Sequence, residues 1–132
     1  MENYCLHAGE SLLTTHMRFC SNFIECTAGL LWRPALDAER GEALLIPWCG
    51  AVHTFWRSYG INVIFLDKEK RIIRICSDVR PWRVVGHREA CFALQCAVGT
   101  AWTQDLQVGQ QLHWRAMTPD MRGISAGRRY CR

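Results

Sequence analysis

The strongest constraint on this fold is an apolar run, a polar turn and a second β-branched run that follow one another directly. Residues 61–66 read Ile-Asn-Val-Ile-Phe-Leu, so both faces of a strand with this sequence are largely apolar. Such a strand is expected at the centre of a sheet, where both of its faces are covered. The polar residues 67–70 then predict a hairpin with residues 71–76, because four-residue loops are commonly built on a type I turn.

Other short apolar runs predict a mostly β fold. Further strands are expected at residues 19–26, 43–46, 51–56, 90–96 and 111–115. Residues 78–85 contain Pro81, which cannot donate to a central ladder, so they are expected to form an edge strand or an extended loop. Short helices are expected at residues 28–33 and, with Thr100 as the N-cap, at residues 99–104. The prediction is an α+β, mostly β domain: a curled, mainly antiparallel, barrel-like sheet whose open ends the two short helices cover.

The length of 132 residues fits a single compact domain. Residues 1–18 show no clear period and are interpreted as a loosely ordered leader. Residues 19–116 carry the apolar runs and are interpreted as the globular domain. Residues 117–132 are rich in glycine and arginine and are predicted to form a mobile basic tail.

Charge and hydropathy narrow the classes of partner. The net charge of +4 is a weak signal, and it does not favour nucleic acid as the main partner. No stretch reaches the roughly 18 apolar residues that a membrane span needs. The first ten residues lack the apolar run of a secretory signal, so a cytoplasmic location is expected. Small molecules and other proteins are left open as partners.

Cysteine is unusually frequent, with eight residues and no C-x-x-C pair. Several of them lie in apolar segments, where a free cysteine behaves as a small hydrophobic side chain. A reducing cytoplasm would keep them as thiols. The sequence therefore predicts eight free thiols, with disulfides and metal or redox chemistry as alternatives.

The order of motifs resembles a bacterial and archaeal family known as domain of unknown function 192. The resemblance covers about residues 23–115. Its six motifs are Gly-Leu-Leu-Trp-Arg at 29–33, His-Thr-Phe-Trp at 53–56, Ile-Asn-Val-Ile-Phe-Leu-Asp at 61–67, Pro-Trp at 81–82, Gly-Thr-Ala at 99–101 and Leu-Gln-Val-Gly-Gln-Gln-Leu at 106–112. Asn62 departs from the pattern, since the family usually carries an aspartate there. The resemblance implies a small α+β domain, no established activity, and a link to pilus or secretion systems.

A candidate ligand site is predicted around one polar pair. His53 and Thr54 lie between apolar runs, just before the central strand, and a histidine can donate hydrogen bonds or bind a ligand. Pro81 and Trp82 belong to a segment that could lie beside them, and Trp56 or Trp82 would supply an apolar wall. A mostly apolar concavity with a few polar groups is the usual composition of a small-ligand site. The predicted ligand-binding residues are therefore His53, Thr54, Trp56, Pro81 and Trp82.

Two other functions remain open from the sequence. One is an enzymatic or metal-dependent activity centred on His53, although no catalytic residues, metal ligands or cofactor are predicted. The other is nucleic-acid binding through Arg80 and Arg83, because aromatic side chains between arginines can stack bases. The most favoured function is a non-enzymatic binding or accessory module.

Overall fold

A computed structural model describes residues 3–20, 36–54 and 59–116 of the chain. Nine strands run through these residues, and one turn of 3₁₀ helix (Ala101–Thr103) lies between the last two. The strands are β1 (Tyr4–Ala8), β2 (Ser11–Phe19), β3 (Ala43–Pro47), β4 (Ala51–His53), β5 (Ile61–Leu66), β6 (Ile72–Val79), β7 (Val84–Gly86), β8 (Phe92–Ala97) and β9 (Leu112–Ala116).

Seven strands form one mixed sheet in the order β6-β5-β8-β3-β2-β1-β9, and β4 pairs with β7 in a separate two-stranded ribbon. Only the β2–β3 pair of the large sheet is parallel. An isolated bridge between Arg71 and Gln111 connects the two edges of this sheet. No ladder closes the edges in the described residues, so the predicted barrel-like closure is not confirmed.

The predicted hairpin is confirmed, and β5 lies between β6 and β8 with all six of its residues buried. Its side chains alternate between two apolar clusters. Val63 and Phe65 pack on one face with Val52, whereas Ile64 and Leu66 pack on the other face. A largely apolar strand is expected here because both faces of the sheet are covered.

The predicted leader is wrong, because residues 4–19 form β1 and β2 inside the large sheet. The sequences of β1 and β2 do not show a clear alternation of apolar residues, because polar side chains occupy some of the buried positions. His7, Thr14 and Thr15 are all nearly or fully buried in these strands. The globular domain therefore begins well before residue 19.

The two predicted helices are not confirmed. The segment 99–104 forms only the single 3₁₀ turn, and the Thr100 hydroxyl donates to the Ala97 carbonyl at 2.7 Å instead of capping that turn. The other predicted helix, at 28–33, and the predicted tail, at 117–132, lie outside the described residues. In the described ranges, no helix is long and apolar enough to cross a membrane.

The prediction of eight free thiols is also wrong. Cys5 and Cys20, both buried, are disulfide-bonded. The four other cysteines of the described ranges are free thiols: Cys49, Cys76, Cys91 and Cys96. Buried apolar positions accept either state of cysteine, so the sequence context did not separate the two groups.

Candidate functional site

Thr54 connects the end of β4 to the turn that precedes β7. Its hydroxyl donates to the carbonyl of Arg80 at 2.7 Å and accepts from the amide of Arg83 at 2.8 Å. Its backbone amide donates to the carbonyl of Arg83 at 2.9 Å, and its carbonyl accepts from the amide of Trp82 at 3.1 Å. Thr54 is fully buried, so it acts on the site through the turn that it holds.

Trp82 has a backbone conformation that is unusual for a bulky residue. Its φ is 63°, in the left-handed region, and its side chain is 52% exposed. A strained conformation persists only where its surroundings fix it, and such residues cluster at ligand clamps and active sites. The hydrogen bonds of Thr54 fix this turn. They hold the exposed Trp82 on a backbone conformation that a tryptophan rarely adopts.

His53 lies beside this turn on the ribbon. It is the last residue of β4 and pairs across the ribbon with Val84, which is 62% exposed. The β4–β7 pairing places His53 opposite Val84, and Thr54 bonds to the backbone of residues 80, 82 and 83. That His53, Thr54, Pro81 and Trp82 bind a ligand stays a prediction. The fifth predicted residue, Trp56, lies outside the described residues.

Two arginines flank the exposed indole. Both are exposed, and Arg83 Nη1 donates to the Trp82 carbonyl at 3.4 Å. Arg80 Nε lies 3.5 Å from Oδ2 of Asp78, with both side chains largely exposed. The amide of Asp78 donates to Oδ1 of buried Asn62 at 2.9 Å, so the residue that departs from the family pattern fixes the start of this segment.

The ribbon is fixed to the large sheet at its other end. Arg74 of β6 donates from Nη1 to the carbonyl of Gly86 in β7 at 2.7 Å. A Cβ at Gly86 would lie 2.7 Å from the carbonyl oxygen of Gly50, so only glycine allows the backbones to approach this closely. The Trp82 turn is therefore carried by a ribbon that is held at both ends.

Thiol and metal chemistry has little support in the described ranges. No group of three or more His, Cys, Asp or Glu side chains there could hold a metal ion. Cys49 Sγ donates to the carbonyl of Ala51 at 2.9 Å. Burial is the largest influence on the Cys49 thiol and raises its pKa. A thiol with a raised pKa is not an activated nucleophile, so Cys49 gives no support to thiol chemistry in this ribbon.

Sequence reasoning missed three further residues with left-handed backbones in the described ranges: Trp48, Lys70 and Asp78. Their φ values are 56°, 66° and 50°. Aspartate adopts this conformation more readily than most residues, whereas neither tryptophan nor lysine predicts it.

The DUF192 family model, described as uncharacterized ACR, matches residues 5–114. A UPF0127 protein of Pyrococcus abyssi is 29% identical over 105 residues, covering 74% of this chain and 85% of the relative. A UPF0127 protein of Pyrococcus furiosus is 29% identical over 103 residues, covering 76% of this chain and 88% of the relative.

Two solved structures share the fold. A protein of unknown function from Novosphingobium aromaticivorans matches with a TM-score of 0.63 and 16% identity, over 85% of this chain and 84% of the other. A protein from Sinorhizobium meliloti, described as a candidate transcription regulator, matches with a TM-score of 0.65 and 14% identity. This second match covers 86% of this chain and 92% of the other.

Proposed function

This chain belongs to the DUF192 family, and from that premise we propose that it is a non-enzymatic binding module whose ligand binds at the Trp82 turn. The observation that carries the proposal is the exposed Trp82 indole on a left-handed backbone that Thr54 fixes. Holding a bulky residue in this conformation has a cost in stability, which is typical of positions kept for binding.

The residues around the turn suggest the kind of ligand. Trp82 and Val84 offer exposed apolar surface, and the half-buried His53 offers an imidazole that can donate and accept hydrogen bonds. A ligand that fits would have a flat apolar part for the indole and a polar group for His53. Pro81 restricts the turn, and Thr54 is a positioning residue.

The cellular setting remains a prediction. The sequence favours the cytoplasm, but the disulfide-bonded Cys5 and Cys20 favour an oxidising compartment, because reducing systems remove disulfides in the cytosol. The link to pilus or secretion systems stays an expectation from the family resemblance. An accessory role in a cell-envelope system would agree with the disulfides.

A second candidate function is nucleic-acid binding at the same turn. Arg80 and Arg83 are exposed and flank Trp82 in the sequence, which supports stacking of a base on the indole with phosphate contacts nearby. The related fold of a candidate transcription regulator adds a weak analogy. The test is the binding of fluorescein-labelled oligo-dT. This candidate is favoured over a small ligand if the binding weakens steeply with salt and is lost in R80Q/R83Q.

No observation favours the His53-centred enzymatic or metal-dependent alternative. In the described ranges, His53 has no cluster of ligating side chains around it that could hold a metal ion. It remains a prediction from the sequence only.

Ligand-observed NMR with a library of small heteroaromatic carboxylates and amides tests the proposal. Fragments should bind the wild-type protein, and Trp82→Ala should abolish their saturation-transfer signals. Val108→Ala is the matched control, because it removes another exposed apolar side chain from a different loop. Equal signals from wild-type protein and Trp82→Ala would contradict the proposal.

A further inference from the structure

Five aromatic side chains of the large sheet and its turns contact one another in a continuous row. Four come from β1, β2, β8 and β9, and the fifth, Trp48, directly follows β3. The ring centroids of Trp48 and Phe92 lie 6.3 Å apart, and those of Phe92 and Trp114 lie 5.3 Å apart. The Trp114 ring meets Phe19 edge-on at 6.1 Å, and Phe19 stacks on Tyr4 at 4.4 Å. Four of these residues are half-buried against one apolar cluster, and Trp48 extends the row into solvent. We call these five residues the aromatic row.

Trp48 is the most exposed large hydrophobic residue of the described ranges, at 84%. Its backbone is left-handed, and the next amide, that of Cys49, donates to the carbonyl of Cys91 at 3.2 Å. The chain on its carboxyl side is therefore attached to the residue that precedes β8. An exposed indole at a strained, anchored position is costly to keep unless its surface is used.

Lys70 supplies a cation at the middle of the row. Its Nζ lies 4.5 Å from the centre of the Trp114 ring. Its backbone is also left-handed, and the turn fixes it, because its amide donates to the Asp67 carbonyl and its carbonyl accepts from the Leu112 amide. In the described part of the chain, no carboxylate forms an ion pair with this ammonium group. The positive charge is therefore available to an anionic ligand.

We propose that the aromatic row and Lys70 form a second binding site, for an oligosaccharide that carries carboxylate groups. The apolar CH face of a pyranose ring would pack on the exposed Trp48 indole, which is a large, rigid apolar surface with a polar N–H edge. A carboxylate of a neighbouring sugar would pair with the Lys70 ammonium, whose other contact is the Trp114 ring. This site does not depend on the Trp82 turn.

The geometry favours an acidic oligosaccharide over a mononucleotide. Two ring-to-ring contacts separate Trp48 from Trp114, so a ligand that reaches both the indole and Lys70 must be longer than one ring. A nucleotide phosphate is best held by several donors or by an arginine fork. Lys70 offers one compact charge, which suits one carboxylate.

Isothermal titration with trigalacturonate tests this proposal. Trp48→Ala should weaken binding by about tenfold or more, because it removes one stacking surface. Lys70→Gly should weaken binding to a similar extent, and glycine accepts the left-handed backbone, so loss of folding would not explain the result. Trp82→Ala is the control variant and should bind trigalacturonate like the wild-type protein.

The ligand controls separate this proposal from its rivals. Neutral maltotriose should bind at least about tenfold more weakly than trigalacturonate, because it has no carboxylate for Lys70. Failure of trigalacturonate to bind would overturn the proposal, and so would unchanged affinity in Trp48→Ala. Tighter binding of AMP than of trigalacturonate, lost in Trp48→Ala, would assign the aromatic row to nucleotides. That result would also overturn the oligosaccharide proposal. None of these results bears on fragment binding at Trp82, which tests the proposed function separately.

Discussion

The hydroxyl of Thr54 donates a 2.7 Å hydrogen bond to the carbonyl of Arg80 across 26 residues of sequence. The same oxygen accepts from the amide of Arg83, so one buried side chain fixes both ends of a turn with an exposed tryptophan at its tip. A threonine that the sequence suggested as a ligand contact is thus a support for its neighbour.

Thr54→Val keeps the shape of the side chain and removes its hydrogen bonds. We expect it to lower the free energy of unfolding by about 1–3 kcal/mol, because the Arg83 amide and the Arg80 carbonyl lose their partner, the buried Thr54 hydroxyl. Urea denaturation measures this. Thr103→Val is the control, since its hydroxyl bonds only to Thr100, three residues away, and it should cost no more than about 1 kcal/mol. Equal losses in the two variants would show that Thr54 does not hold the turn.

The central strand β5 could be predicted from the sequence, whereas the first two strands of the sheet could not. β5 was predictable because all of its positions are buried and nearly all are apolar. β1 and β2 were not, because His7 and Thr14 fill buried positions that an apolar period would need. In the candidate site, polarity and position led to the prediction of His53 and Trp82, whose binding role stays a prediction. The left-handed backbone of Trp82 was not predictable, because neighbouring hydrogen bonds impose it and residue type does not.

Two lysines in one turn offer a matched test of backbone strain. Lys70 has a φ of 66°, whereas Lys68 is not among the residues with positive φ. A left-handed backbone costs an L-residue about 1–2 kcal/mol, whereas glycine at an ordinary position loses about 0.5–1 kcal/mol. We expect Lys70→Gly to be more stable than Lys68→Gly by about 1 kcal/mol. Thermal or urea unfolding compares them, and equal stability would mean that the Lys70 conformation is unstrained.

The stability of the protein should decrease at alkaline pH because of Cys96. Burial raises the pKa of this thiol from 9.0 to about 11, although hydrogen bonds to Thr100 and Asn62 lower it in part. Between these values the unfolded chain loses the proton and the folded protein keeps it, so the stabilisation present below pH 9 is lost as the pH rises toward 11. The loss should reach about 2–3 kcal/mol.

Urea denaturation at pH 8, 9, 10 and 11 measures this decrease. Cys96→Ala should flatten the curve over this range, although it lowers stability at pH 8 by removing a buried side chain. Cys76→Ala is the control, because this thiol is only half-buried, and its curve should keep the wild-type slope. The same slope in Cys96→Ala and in wild-type protein would assign the decrease to other groups.

Thiol counting tests the disulfide assignment. Alkylation of the denatured protein without reductant should modify Cys49, Cys76, Cys91 and Cys96, and should leave Cys5 and Cys20 unmodified. Peptide mass spectrometry identifies each modified position. After reduction, Cys5 and Cys20 should become modified as well. Alkylation of these two residues in protein prepared under oxidising conditions without reductant would show that they are free thiols.

Protein-observed NMR with the strongest fragment from the heteroaromatic library tests the central claim most directly. If the Trp82 turn is the binding surface, the indole N–H of Trp82 and the ring of His53 should shift in a saturable manner at the same fragment concentration. The indole N–H of Trp48 should not move, and Trp82→Ala should remove the His53 shift. Shifts confined to other parts of the molecule, or a His53 shift that persists unchanged in Trp82→Ala, would contradict the account.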